Sequence, residues 1–329
     1  MVTYIAKQLT GLVSILILMS LVVFSLQRLI PADPARAIAG PTAPTKVVHD
    51  LREELGLDQP VLVQYGRFLA DVATGDMGAS FRTRQPVAAD ILRYLPATLE
   101  LIAVSVVLGL VLACGLALVQ YLTPQFALIR VLVLGLGSTP IFLSGLILIY
   151  AFWFSLDWLP GTGRLSTRTF SGPTGFYLID GLLVGQPLVS LEALRYLLLP
   201  SLTLALPIAV AVSRSLSSTL YDVMRQPYIR SARGMGLTEA RVILRHGLRN
   251  AASAPLSMTG LQIRLLFGNL LVVERIFGWP GVGLYMVQSL STLDLPAVLG
   301  VSMVFGAIYI VTNAMVEICQ TLSDPRIDL

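Results

Sequence analysis

What most constrains this sequence is a series of long apolar runs. A helix needs about 20 predominantly apolar residues to cross a bilayer. Six segments meet that length: Leu9 to Ile30, Leu99 to Leu122, Phe126 to Phe154, Leu197 to Leu220, Pro255 to Phe277 and Pro296 to Leu322. With 55% hydrophobic and only 13% charged residues, and a mean hydropathy of +0.77, the chain is too apolar for a soluble domain of this size. It reads as an all-α integral membrane protein with six transmembrane helices. The first run is taken as a span and not a signal peptide: it exceeds an ordinary signal core, and the small-residue triplet Ala37-Ile38-Ala39 lies well beyond its end.

Orientation follows from the loops, because short cytoplasmic loops collect Lys and Arg. The stretch between the fourth and fifth runs carries Arg225, Arg230, Arg233, Arg241, Arg245 and Arg249 against Asp222 and Glu239. It is therefore expected on the cytoplasmic side, with both termini. Pro31 to Leu95, Ser155 to Tyr196 and Gly278 to Asp294 are then external, and Trp153 and Trp158 sit at an expected external aromatic belt. The net charge of +4 reflects this topology and gives no sign of nucleic-acid binding. Cys114 and Cys319 both fall in predicted spans and read as packing residues, without a disulfide or metal framework.

Two regions are expected: residues 1–95, a span followed by an external cap, and 96–329, a core of five spans with a cytoplasmic loop at 221–254. In the cap, a Pro-rich stretch from Pro31 to Pro44 precedes a helix near Val47 to Leu55 that stops at Gly56. A second helix, Val61 to Val72, leads into the turn Thr74-Gly75-Asp76-Met77-Gly78.

The polar island Tyr228 to Gln262 is the most informative of the loops. Pro227 suits a first helical turn and Gly236 a left-handed stop. Thr238 can cap a second helix, whose first-turn Glu239 complements the helix dipole. On that second helix Ala240, Ile243, Leu244, Gly247, Leu248 and Ala251 form an apolar stripe, while Arg241, Arg245 and Arg249 recur on another face. Such a pair could lie on anionic lipid headgroups or dock on a protein. The small residues Ser231, Ala232, Gly234 and Gly236 favour docking, since only a partner's groove requires close backbone approach.

At these residues the chain resembles the transmembrane permeases of ABC importers, specifically the first permease subunit of the dipeptide, oligopeptide and nickel branch. The family's cytoplasmic signature runs Glu-Ala-Ala, three residues, Gly, and later Ile-x-Leu-Pro. Here Arg230-Ser231-Ala232 stands at the triplet, Gly236 at the glycine, and His246-x-Leu248-Arg249 at the later element, departures that look like the peptide branch. The resemblance extends through Leu29-Ile30-Pro31-Ala32-Asp33-Pro34, Leu55-Gly56-Leu57-Asp58-Gln59-Pro60, Gly75-Asp76-Met77-Gly78, Leu95-Pro96-Ala97-Thr98-Leu99-Glu100, the run from Glu274 through Trp279-Pro280-Gly281 to Gly283, and Asp324-Pro325-Arg326.

It implies a type I importer permease fold in a bacterial-type inner membrane. The implied assembly has a homologous second permease, two cytoplasmic ATPase subunits or one fused ATPase, an extracytoplasmic substrate-binding protein and surrounding lipid, without nucleic acid. The 228–250 loop would couple to an ATPase through Arg230, Ser231, Ala232, Arg233, Gly234, Met235, Gly236 and Leu237. Trp279, Pro280 and Gly281 would meet the binding protein. ATP and Mg would belong to the ATPase subunits, with no cofactor in this chain. The absence of a Gly-x-x-x-x-Gly-Lys-Ser/Thr sequence agrees, for Lys7 and Lys46 are the only lysines.

No catalytic or metal constellation is expected: His49 and His246 fall on opposite sides of the membrane, and Ser144 has no membrane-level histidine as base. Ionisable groups inside the membrane are functional candidates by default. Arg214, Arg264, Asn269 and Glu274 are the expected path residues, with Glu100 near the outer edge and Arg214 a candidate partner for Glu317. Arg264, near the middle of its span, is expected to face the central cavity and favour a substrate carboxylate. Pro140, Pro200 and Pro207 are expected to kink their spans. A secondary transporter or a channel-like protein is the alternative, but neither an internal repeat nor a rich set of membrane carboxylates is visible. Di- or oligopeptides are the expected cargo, since no His, Cys or Met cluster marks a metal path.

Overall fold

Among the described residues, four of the apolar runs fold into helices long and apolar enough to cross a membrane: α4 (Val87–Leu122), α7 (Pro187–Met224), α11 (Ser253–Ile276) and α13 (Leu295–Ser323). The computed structural model describes residues 10–11, 13–14, 17–22, 24–25, 34–40, 43–54, 56–123, 131, 135, 137, 139–166 and 170–323. Nearly half of the first expected span, and most of the first half of the third, fall outside them. Apart from an isolated Ala79–Pro86 bridge, the regular structure of the described residues is helical. Before the first of the four long helices lie α1 (Pro34–Ala39), α2 (Thr45–Glu54) and α3 (Val61–Ala73), and between them α5 (Ile141–Leu148), α6 (Tyr177–Leu183), α8 (Pro227–Gly234), α9 (Glu239–Val242), α10 (Leu248–Asn250) and α12 (Val282–Ser291).

Several boundaries differ from those expected. The α4 helix starts at Val87, because Asp90 and Arg93 interrupt the apolar run without interrupting the helix, and Pro96 is accommodated inside it. The α7 helix opens with Pro187 at its first turn and runs 38 residues. At 1.5 Å per residue that is about 57 Å, nearly twice a hydrocarbon core of about 30 Å, so it projects beyond the membrane. Pro200 and Pro207 lie inside it, whereas Pro140 does not kink a helix: with φ −57° and ψ 141° it precedes α5, which continues as a π-helical segment, Ile149–Ser155. Three expected loops also hold helices, the 155–196 region containing α6 and the start of α7. Pro34 starts α1 within the Pro-rich stretch, and α12 occupies the 278–294 region. In the cap, Gly56, Gly75 and Gly78 all take positive φ, as their predicted turns require.

The chain divides into two compact units, Met1–Leu95 with Tyr285–Ile310, and Pro96–Leu284 with Val311–Leu329. In the first, Phe24 packs on Tyr65 and Phe68, and Ser20 shares a 2.9 Å hydrogen bond with the Tyr65 hydroxyl. A second centre gathers buried Asp90 and Asp294. Ser80 Oγ donates to Asp294 at 2.5 Å, the Tyr285 hydroxyl donates to Asp90 at 3.0 Å, and Tyr94 stacks on the Tyr285 ring. Burial raises the Tyr285 pKa above the usual phenol value, so the hydroxyl remains a donor.

The second unit is organised on α7, whose buried residues include Leu197, Leu204, Ile208, Leu216 and Leu220. Glycine permits the closest approach to it. A Cβ on Gly109 of α4 would stand 2.9 Å from two carbons of Ile208, so this crossing tolerates no larger residue.

Candidate functional site

The polar island folds as the sequence suggested at its first helix and differently at its second. Pro227 occupies the first turn of α8, and Gly236 takes φ +81° just after its end. Thr238 precedes α9 but makes no side-chain capping bond; the link between the two helices is ionic instead. Arg233 donates from Nε and Nη2 to the two Glu239 oxygens at 2.9 and 2.7 Å. Through that hydrogen bond Arg233 holds the exposed Glu239 carboxyl below its ordinary value, and the Arg233 pKa rises in turn.

A π-helical segment, Ile243–Gly247, interrupts the second helix and rotates its faces. The expected stripe is therefore redrawn in part: Ile243, Gly247 and Ala251 are buried with Val242 added to them, and Leu248 packs at the margin, while Ala240 and Leu244 face out. With Ile229 and Ala232 they pack on Leu216, Leu220 and Met224 of α7 and Ala117 of α4. Two further hydrogen bonds tie the region: Thr219 Oγ1 donates to the Ala251 carbonyl at 3.1 Å and the Tyr221 hydroxyl to the Gln120 carbonyl at 3.1 Å.

The loop is thus a plate with distinct faces. Arg230, Ser231, Arg233, Gly234, Met235 and Gly236 form the outer ridge, with Met235 76% exposed. Ala232 turns inward, and Leu237 packs at the cluster's margin. The small-residue surface therefore comes from Ser231, Gly234 and Gly236. A Cβ on Gly234 or Gly236 would meet nothing within 4 Å, so the ridge is open to a close approach.

At the far end of α11, the segment from Glu274 to Gly283 forms a buried polar centre. Glu274 is fully enclosed: Thr98 Oγ1 donates to its Oε1 at 2.7 Å and the Leu284 amide to its Oε2 at 2.8 Å. Thr98 in turn accepts from the Val282 amide at 2.8 Å, and buried Trp279 donates from Nε1 to the Ala97 carbonyl at 3.0 Å. Glu274 thus holds the loop to the Pro96–Glu100 turns of α4 and lines no open surface. Of the three residues expected to meet a binding protein, Pro280 is exposed, and Trp279 and Gly281 are buried.

Beside this centre lies an ion pair that the sequence did not signal, because nothing local relates residues so far apart. Arg164 pairs with Glu100, donates to the Gly175 carbonyl at 2.7 Å, and lies 3.7 Å from the Tyr177 ring centroid. Glu100 also accepts from the Leu178 amide at 2.8 Å. These contacts hold Gly175 and Leu178 to α4, and Asp180 contributes by accepting from the Thr174 and Gly175 amides at 3.1 and 2.8 Å. Nearby, Trp153, Asp157, Trp158, Glu192, Arg195 and Tyr196 help line an open cavity of about 430 Å³.

Of the remaining path candidates, Arg214 is exposed on α7, and the side chain of its expected partner Glu317 lies outside the described residues. Asn269 is half-buried. Arg264 is exposed and donates from Nε to Asn313 Oδ1 at 2.7 Å, a partner the sequence did not suggest. Among the described residues no group of three or more His, Cys, Asp or Glu could hold a metal ion.

Residues 105–329 match the family model described as "Binding-protein-dependent transport system inner membrane component", and residues 1–102 match the model for the N-terminal part of such components. Similar proteins include the probable D,D-dipeptide transport system permease protein DdpB of Escherichia coli K12, 37% identical over 322 residues, covering 96% of this chain and 95% of the relative. The dipeptide transport system permease protein DppB of Alkalihalophilus pseudofirmus is 34% identical, with 99% of each chain covered. The glutathione transport system permease protein GsiC of Salmonella typhimurium is 33% identical, again over 99% of each.

Proposed function

The chain belongs to the family of binding-protein-dependent transport system inner membrane components, and from that membership we propose that it is the permease through which an ATP-driven importer admits di- or oligopeptides. Peptides are favoured as cargo because the relatives' names specify dipeptide and glutathione transport. Six spans with both termini cytoplasmic accommodate the charge pattern of the loops. A homologous second permease completes the path, two ATPase subunits or a fused ATPase supply ATP and Mg, and an extracytoplasmic binding protein delivers the peptide.

The single observation that carries the coupling step is the two-faced plate at 227–251. Its outer ridge, Arg230, Ser231, Arg233, Gly234, Met235 and Gly236, is exposed, while its inner face is packed on α7 and α4. Docked in an ATPase groove, the ridge moves when the ATPase pair closes on ATP. The inner residues Ile229, Ala232, Val242 and Ile243 pass that displacement to Leu216, Leu220 and Met224, because close-packed cores transmit force with little compression. The spans then alternate between inward-open and outward-open arrangements.

Gly234→Trp tests this reading. The site is exposed, with no neighbour within 4 Å of an added Cβ, so the variant should fold and insert normally. It should lose co-purifying ATPase and ATP-driven peptide uptake. Wild-type uptake and ATPase retention in this variant would refute docking through the ridge.

A further inference from the structure

An arginine midway along an apolar helix does not face lipid, and this one has a defined orientation. Arg264 is the twelfth of the 24 residues of α11, roughly 17 Å from either end at 1.5 Å per residue. It lies on the exposed face with Leu261, Leu265, Gly268 and Val272, while Leu266, Leu270 and Val273 are buried on the other. A Cβ on Gly268, one turn along, would meet nothing within 4 Å, so there is open space beside the guanidinium. Intramembrane charges face a bundle interior or a water-filled cavity.

The Nε–H bond to Asn313 Oδ1 at 2.7 Å fixes the guanidinium in one plane. Among the described residues no carboxylate forms an ion pair with Arg264, and none accepts from its two Nη groups. The Nη edge therefore presents parallel N–H donors, the arrangement that fits a carboxylate in bidentate fashion. We propose that Arg264, oriented by Asn313, reads a carboxylate of the solute inside the transport path, so that the importer favours peptides with a free C-terminal carboxylate over their C-terminal amides. The proposal rests on the peptide-importer reading.

The test uses the complete importer in proteoliposomes, with its binding protein saturated by a peptide acid or by the same peptide as its amide. Saturation removes the binding protein's own preference, and uptake per transporter is compared. The wild type should import the acid about tenfold faster, the difference expected from one hydrogen-bonded charge pair. In Arg264→Gln, which retains a group able to bond Asn313, the acid-to-amide ratio should fall towards one. In Arg264→Lys, which keeps the charge and loses the planar fork, it should be intermediate.

A ratio in Arg264→Gln equal to that of the wild type would overturn the proposal and make the arginine a group neutralised within the assembly. If Arg264→Gln fails to assemble, Arg264→Lys decides: an unchanged ratio there overturns the proposal, and a reduced one supports it. Failure of the wild type to import either peptide would overturn the importer reading, and this one with it, a result distinct from uptake without discrimination.

Discussion

Gly281 touches the enclosed Glu274 so closely that one methyl group should unseat the loop. In Gly281→Ala the new Cβ would lie 2.5 Å from Glu274 Cδ and nearer still to Oε1, whereas an ordinary contact is 3.4–4 Å. The carboxyl group has nowhere to go, since Thr98 and the Leu284 amide hold it and the residue is fully buried. Separating it from those donors leaves them without partners in the interior. An orphaned buried group costs about 1–3 kcal/mol, so the two together cost roughly 2–6 kcal/mol. For a chain of this size that corresponds to a fall in melting temperature of roughly 3–9 °C.

The measurement is an apparent melting temperature in detergent at a fixed scan rate, because unfolding of such a protein is read kinetically. Gly115→Ala, where an added Cβ meets nothing within 4 Å, is the matched control and should cost nothing. Glu274→Ala removes the obstacle, so adding Gly281→Ala to it should cost far less than in the wild type. Wild-type melting of Gly281→Ala, or strictly additive losses in the double variant, would refute the reasoning.

Arg164→Met should destabilise by about 3–5 kcal/mol, because it strands the buried Glu100; Glu100→Gln added to it should restore part of the loss in the same melting assay. The Arg233–Glu239 link should weaken in acid. Glu239 has a folded pKa below its ordinary value, so its stabilisation is complete above the unfolded pKa and is lost as pH falls through the folded one. As an exposed pair it contributes less than about 1 kcal/mol, read as faster proteolysis of the 234–238 connection at low pH and high salt, and Glu239→Gln should abolish that pH dependence.

The plate at 227–251 was largely legible in the sequence because its signals are local. Pro227 starts a helix and Gly236 ends it through the backbone freedom those two residues have or lack. Its second half was legible only in part, since a π-helical segment shifts the period on which Ala240 and Leu244 were placed beside Ile243 in the stripe. Ala232 shows the same limit: small size suits a docking surface and a tight core equally, and only packing on Leu220 and Met224 separates the two.

Apolar length alone determined that the chain is built on membrane-length helices, because a hydrocarbon layer sets a minimum run that composition either meets or does not. Charge asymmetry marked which loop stands apart from the rest. Only the tertiary structure decided the roles of the charged residues within and beside those helices. It enclosed Glu274 as a clamp, paired Glu100 with Arg164 across 64 residues of sequence, and left Arg264 presented on an open face beside Asn313. The physical reason is that span formation depends on near neighbours and the solvent, whereas the state of a buried charge depends on partners brought together by folding.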